Sequence, residues 1–356
     1  MSLFKRKCPT NSSSNSLSSD LSNNLSVKDY LADKAIFIVL IILVGVIVII
    51  EPKFLTLNNF RNIFAQSATR IIFALGAGMV LIIRGVDLSI GRMIGLAAVV
   101  AASLLQEADY AYKMYPKLAE LPIIVPILLV MAICAVLGLI TGLAVSIFKV
   151  PPFIATLAMS LVLYGLASIY FDRPPYGAQP IGGISSKFTK LATGSFNIGS
   201  VKIPYLIIFA LVISAIVWVI WNKTKFGKYM YAIGGNPEAA KVSGVNIVLT
   251  QILIYVIAAA MYAFGASLEV ARIGSASNTT GNGYELDAIA ACVVGGVSLS
   301  GGIGHVGGIV TGVLIFTVIN YGLAFIGVNM YYQFIIKGLI ILLAVVIDMR
   351  KYAKRR

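Results

Sequence analysis

The stretch LPIIVPILLVMAICAVLGLITGLAVSIFKVPPFIATLAMSLVLYGLASIYF, residues 121–171, contains one charged residue, Lys149. A helix that crosses the hydrocarbon core of a bilayer needs about 20 predominantly apolar residues. The charge-free runs on either side of Lys149, Leu121–Phe148 and Val150–Phe171, are both long enough. The stretch therefore predicts two consecutive membrane-spanning helices.

The composition of the whole chain agrees with this prediction. Of its 356 residues, 59% are apolar and 12% are charged, and the mean hydropathy is +0.92. A soluble domain is about 45–50% apolar and about 25% charged. A chain with so little polar surface cannot coat a large soluble globule, which excludes a water-soluble enzyme. The three cysteines form neither a disulfide framework nor a metal-binding spacing.

Further charge-free runs predict the remaining helices. One of them, Ala288–Ile336, would be about 74 Å long as a single helix, so it must fold back, at residues 295–308 and again at Gly327–Asn329. The sequence thus predicts an all-α polytopic membrane protein of about ten transmembrane helices. The runs beyond residues 121–171 are Ala35–Ile50, Ile71–Ile83 with an amphipathic entry over 60–68, Met93–Gln106, Ile203–Asn222, Val242–Leu268, Ala288–Ile336 and Gly338–Ile347.

The distribution of basic residues predicts the orientation. The net charge of +14 would suggest nucleic acid for a soluble protein, but cytoplasmic loops of membrane proteins retain Lys and Arg. With both termini cytoplasmic, the inner segments hold 17 Lys and Arg and the outer ones hold 10. We therefore expect no nucleic-acid partner. The expected organisation is a disordered cytoplasmic tail (1–34), a permease domain (35–348) with an external loop (172–202) and a cytoplasmic loop (222–246), and a basic cytoplasmic tail (349–356).

The cytoplasmic loop contains a complete short helix signal. Asn236 is a favourable N-cap, Pro237 suits the first helical position, and Glu238 suits the first turn. Gly244 is placed to end the helix in a left-handed conformation. A helix over 237–243 is too short to be stable alone, so the pattern leaves two interpretations open, a capped surface turn and a docking element.

The same residues resemble the coupling loop of ATP-binding-cassette importer permeases. Glu238, Ala239 and Ala240 followed by Gly244 have the spacing of its Glu-Ala-Ala motif, and segments 232–246, 282–300 and 318–337 resemble the branched-chain and monosaccharide permease family. The resemblance implies two copies of about ten helices around one pathway, a cytoplasmic ATPase and an extracytoplasmic sugar-binding protein. It implies a coupling helix that fits a groove on the ATPase, formed by Gly235, Asn236, Pro237, Glu238, Ala239, Ala240 and Gly244. The expected cargo is a galactoside, with ribose, another monosaccharide or a nucleoside as alternatives.

Catalytic and nucleotide-binding motifs are absent from the sequence. No G-x-x-x-x-G-K-[ST] phosphate loop occurs, so we expect ATP and Mg²⁺ to bind the partner ATPase and this chain to carry no cofactor or metal. His305 is the only histidine, and no nucleophile is paired with a base. The chain is therefore expected to be a transport subunit and not an enzyme.

Polar residues near the ends of the apolar runs are candidates for the translocation pathway. Their alternative interpretations are a water-facing helix end, an aromatic belt and a snorkelling lysine, for Lys337. The candidates are Asn59, Asn62 and Gln66, on the helical face that also carries Arg70, and Asn320, Tyr321 and Gln333.

A short repeat marks a candidate cytoplasmic gate. Gly85–Ser89 is echoed by Gly296–Ser300, 211 residues later, as in transporters with internal repeats, although five matches can arise by chance. Arg84, Asp87 and Arg92 flank the first copy and could form a gate, contact the ATPase or simply cap helix ends.

An ion-gradient-driven transporter is a competing class. It would keep acidic residues at the bilayer midplane, whereas the acids here lie near the ends of the charge-free runs.

Overall fold

The computed structural model describes residues 41–173, 177–198 and 201–353. The predicted tail 1–34 and the last three residues of the predicted basic tail lie outside these ranges.

The described part of the chain is mostly helical, as the apolar runs predict. Six helices in it are long and apolar enough to cross a membrane: α2, α4, α5, α7, α10 and α12. The helices in chain order are α1 (Ile41–Ile50), a 3₁₀ turn (Pro52–Leu55), α2 (Leu57–Ile82), α3 (Ile90–Leu104), α4 (Ile124–Ser146), α5 (Pro152–Phe171), α6 (Ser186–Thr193), α7 (Tyr205–Lys223), α8 (Lys225–Gly235), α9 (Pro237–Val242), α10 (Ile247–Ile273), α11 (Tyr284–Val294), α12 (Val306–Phe325) and α13 (Met330–Ala353).

The predicted external loop has structure of its own. It carries α6 and a two-stranded antiparallel hairpin, β1 (Ser195–Ile198) and β2 (Val201–Pro204), so the protein is not entirely helical. Isolated bridges join Ile181 to Ala276 and Gln106 to Ile184. These bridges tie the loop to two other connections of the same face.

Helix α2 lies at the centre of the fold together with α10. Most of α2 is buried, and it packs against α7, α10, α11 and α12. The predicted span Ile71–Ile83 and its amphipathic entry are therefore one continuous 26-residue helix. Small residues allow the close packing: a Cβ added at Gly76 would lie 2.7 Å from the Tyr262 ring on α10.

The long run Ala288–Ile336 folds back where its glycines predict. Helix α11 ends at Val294, α12 begins at Val306, and a second turn separates Phe325 from Met330. Helix α11 has 11 residues and is about 16 Å long, roughly half of the hydrocarbon thickness. The expected eighth span is therefore a half-length helix.

The two copies of the sequence repeat follow helix ends of the same type. Arg84 (φ 65°) ends α2 and Gly296 (φ 85°) ends α11, both in the left-handed region. The next amide reaches back five residues in each case, from Gly85 to the Val80 oxygen and from Val297 to the Cys292 oxygen, both at 2.9 Å. The equivalent cap residues are 212 apart, so the structural match is one residue out of register with the sequence match.

Candidate functional site

The predicted cytoplasmic helix is present as α9. Asn236 is extended, and its side-chain oxygen accepts a hydrogen bond from the Ala239 amide at 3.1 Å. Pro237 occupies the first turn, and Gly244 has the predicted left-handed backbone (φ 81°). The helix ends at Val242, one residue earlier than predicted, and Ser243 caps it.

One face of α9 is unusually apolar for a solvent-exposed turn. Ala240 packs inward, whereas Glu238, Ala239 and Lys241 are exposed and Val242 is 89% exposed. An isolated exposed apolar side chain is common on protein surfaces. Here it projects from a helix too short to be stable without packing, which favours the docking interpretation of this segment.

Three backbone segments meet directly beneath α9, and we call this meeting point the glycine junction (Ile82, Gly234, Gly301 and Gly302). The Gly302 amide donates to the Ile82 oxygen at 2.8 Å. A Cβ added at Gly234 would lie 1.9 Å from that oxygen and 2.5 Å from the Gly302 nitrogen. Only glycine fits at this position. The junction thus joins the end of α2, the end of α8 and the turn between α11 and α12.

Two side chains bind across the glycine junction. Arg84 donates from Nε to the Gly234 oxygen at 2.7 Å and from Nη2 to the Gly235 oxygen, so a cation lies at the negative end of α8. The Tyr231 hydroxyl donates to the Gly304 oxygen at 2.7 Å. Burial raises the pKa of Tyr231 to about 12, so this donor keeps its proton at neutral pH.

The other gate candidates have different partners. Asp87 accepts hydrogen bonds from the Ser89 amide at 2.9 Å and the Ser89 hydroxyl at 2.6 Å. The Arg92 guanidinium lies 4.4 Å from the centre of the Tyr164 ring. No ion pair joins Arg84, Asp87 and Arg92 to one another within the described ranges.

Three of the pathway candidates meet where α2 begins. The Tyr321 hydroxyl donates to the Asn59 side-chain oxygen at 2.8 Å, and the Asn62 amide donates to the Tyr321 hydroxyl at 3.2 Å. Gln66 lies further along α2 and is half-buried. Gln333 donates to the Val328 oxygen at 2.8 Å, in the turn before α13, and does not join this group.

The sequence did not assign Asp287, which lies at the centre of a charged cluster. Its carboxylate lies 3.1 Å from Arg70 Nη1 and 3.3 Å from Lys337 Nζ, and the side chains are 14%, 21% and 20% exposed. Arg70 is the fourteenth of the 26 residues of α2. The cluster therefore lies about 20 Å along α2 from either end.

A second carboxylate, Glu269, extends this cluster. Its side chain is 1% exposed and accepts hydrogen bonds from Arg272 at 2.7 and 3.0 Å, the Thr69 hydroxyl at 2.8 Å and the Tyr284 hydroxyl at 3.1 Å. We call the whole group the polar cluster: Thr69, Arg70, Glu269, Arg272, Tyr284, Asp287, Asn320 and Lys337.

The position of the polar cluster differs from the sequence-based expectation. The acids do lie near the ends of apolar runs, but they reach the middle of α2 because the half-length α11 begins at that depth. The available signal was the Ala288–Ile336 run, which begins next to Asp287 and has to be divided. Both acids are paired with cations, so their depth alone does not indicate an ion-coupled transporter.

A small cavity of about 10 Å³ adjoins the polar cluster and has room for about one water molecule. Its charged lining is Arg70 and Asp287, and its aromatic lining is Phe73, Tyr284 and Phe316. Polar groups against aromatic walls are typical of small-molecule sites.

Comparisons with known proteins identify relatives along almost the whole chain. Residues 59–345 match the family model described as "Branched-chain amino acid transport system / permease component". The chain is 54% identical to the galactose/methyl galactoside import permease protein of Haemophilus influenzae, covering 92% of this chain and 97% of that one. It is 54% identical to the protein of that name from Escherichia coli K12 (94% and 99%) and 36% identical to the ribose import permease protein of E. coli K12 (91% and 96%). No solved structure matched the chain.

Proposed function

Because the chain belongs to the family of branched-chain amino acid transport system permease components, we propose that it is the membrane permease of an ATP-driven sugar importer. The observation that carries the proposal is the 54% identity to galactose/methyl galactoside import permeases over nearly their whole length. Galactose or a methyl galactoside is therefore the proposed sugar. Ribose is the alternative, supported by relatives that are 36% identical.

The proposed assembly is a homodimer in the cytoplasmic membrane. Each copy would contribute about ten spans with both termini inside, and the expected domains, 1–34, 35–348 and 349–356, are retained. A cytoplasmic ATPase would bind ATP and Mg²⁺, and an extracytoplasmic protein would deliver the sugar. This subunit would catalyse no reaction of its own and bind no nucleic acid.

We propose that α9 couples the permease to the ATPase. The exposed side chains of Glu238 and Val242 would enter the ATPase groove, and a displacement of α9 would pass through the glycine junction into α2 and α12. Alternating access then follows if ATP binding and the sugar-loaded protein stabilise different conformations of the dimer. The earlier pathway candidates (Asn59, Asn62, Gln66, Asn320, Tyr321, Gln333) and gate candidates (Arg84, Asp87, Arg92) retain those proposed roles.

The direct test of the proposed function is reconstitution in proteoliposomes with the partner ATPase and the sugar-binding protein. We expect labelled galactose to enter only with ATP and both partners, and to enter faster than ribose. Uptake without any ATPase subunit would contradict the proposal.

The coupling role of α9 makes a separate prediction. Val242→Asp and Glu238→Lys should each reduce sugar-stimulated ATP hydrolysis and uptake together by about tenfold or more, because each places an unmatched charge in the interface. Both side chains are exposed, so the amount of folded permease should not change. Val242→Thr, which keeps the shape without a charge, is the matched control. If Val242→Asp couples as well as Val242→Thr, α9 does not dock there.

A further inference from the structure

We propose that Asp287 and Asn320 form a binding site for the hydroxyl groups of a monosaccharide, at the middle of the translocation pathway. The inference rests on the proposed function and extends it, since it assigns a contact with the transported sugar to the polar cluster.

The groups present match the chemistry of a polyol. A sugar hydroxyl both donates and accepts hydrogen bonds. Asp287 accepts, Arg70 and Lys337 donate, and the Asn320 amide can do both; its Nδ2 lies 3.5 Å from Asp287 Oδ2. Phe73 and Phe316 supply aromatic walls against which the apolar face of a sugar ring can pack.

Asn320 has a property that packing does not explain. The residue is only 9% exposed, and its side-chain oxygen is buried without a hydrogen-bond partner. A buried polar atom left unpaired destabilises the fold, and an apolar residue of similar size would avoid that cost. The unpaired acceptor lies beside the Asp287 carboxylate, where a ligand hydroxyl could satisfy it.

The site is closed in this conformation, because its cavity has room for about one water molecule. Of the two cations on Asp287, Arg70 belongs to the buried helix α2, whereas Lys337 belongs to α13. The neighbours of Lys337 on α13 include Phe334 (55% exposed) and Ile335 (58% exposed), so α13 packs loosely on this subunit. A sugar would take the place of Lys337 on Asp287 when α13 moves away.

Asn320→Leu is the decisive variant, because it separates a binding role from a structural one. In the reconstituted complex we expect galactose uptake to fall about tenfold, as for one lost polar contact, with ATP hydrolysis still stimulated by the sugar-loaded binding protein. The melting temperature should stay the same or rise, since an unpaired polar atom is removed.

Asp287→Asn and the double variant Asp287→Asn/Lys337→Met test the carboxylate. If Asp287 only clamps α11 to α13, removing both charges should restore the uptake that the single variant loses. If Asp287 binds sugar, the double variant should remain about tenfold defective. Glu285→Gln is the matched control, because Glu285 lies on the same turn of α11 but faces Gly91 on α3.

The outcomes separate this inference from the proposed function. Normal uptake by Asn320→Leu together with restored uptake in the double variant would overturn the hydroxyl site. Loss of ATP-dependent uptake by the unmodified complex would instead overturn the importer proposal.

Discussion

Gly234→Ala should abolish transport and lower the free energy of unfolding by about 3 kcal/mol, near the upper end for an overpacked position. The new methyl group would lie 1.9 Å from the Ile82 carbonyl oxygen and 2.5 Å from the Gly302 nitrogen. All of these obstacles are backbone atoms, so no side-chain rotation relieves the overlap. The Gly302–Ile82 hydrogen bond and the two bonds from Arg84 would be displaced together.

The adjacent residue provides the control for this substitution. Nothing lies within 4 Å of a Cβ added at Gly235, and its backbone is not left-handed. Gly235→Ala should therefore leave stability unchanged or slightly increased. Thermal unfolding in detergent compares the two variants, and ATP-driven uptake reports transport. Equal melting temperatures for both would show that the glycine junction is not tightly packed.

Glu269→Gln should be the most destabilising of the charge-removing substitutions. The carboxylate is 1% exposed and holds together α2 through Thr69, α11 through Tyr284 and its own helix through Arg272. Breaking a buried ion pair by removing one partner costs about 3–5 kcal/mol, because the remaining charge is left uncompensated. Arg272 is 25% exposed, so we expect the lower end, about 3 kcal/mol.

An exposed ion pair of the external loop provides the comparison. Glu120 lies 3.4 Å from Lys187, with the two side chains 46% and 77% exposed. Glu120→Gln should change the unfolding free energy by less than about 0.5 kcal/mol, because water and salt screen such pairs. Chemical or thermal unfolding of the two variants should differ accordingly. A Glu269→Gln protein as stable as Glu120→Gln would mean that the polar cluster is not tightly held.

Local signals in the sequence predicted the elements whose determinants are close along the chain. The apolar runs place the membrane helices, and α9 lies within one residue of its predicted end because its N-cap bond joins residues three apart. The turn between α11 and α12 was predictable because a continuous helix through it would be longer than any bilayer requires.

The glycine junction and the polar cluster were not predictable in this way. Gly234 gives no sign in the sequence that it contacts Ile82, and Arg70 meets Asp287 across 217 residues. The same limit applies to the gate candidates, since adjacent positions such as Arg84 and Asp87 have different partners in the fold.

The sequence alone therefore determined that the chain is a helical membrane protein with a capped cytoplasmic helix and no nucleotide site, because these properties depend on composition and on neighbours within a few residues. Only the tertiary structure decided which charges meet inside the protein. The physical reason is the short length of α11, which begins at mid-depth and brings Asp287 to the middle of α2.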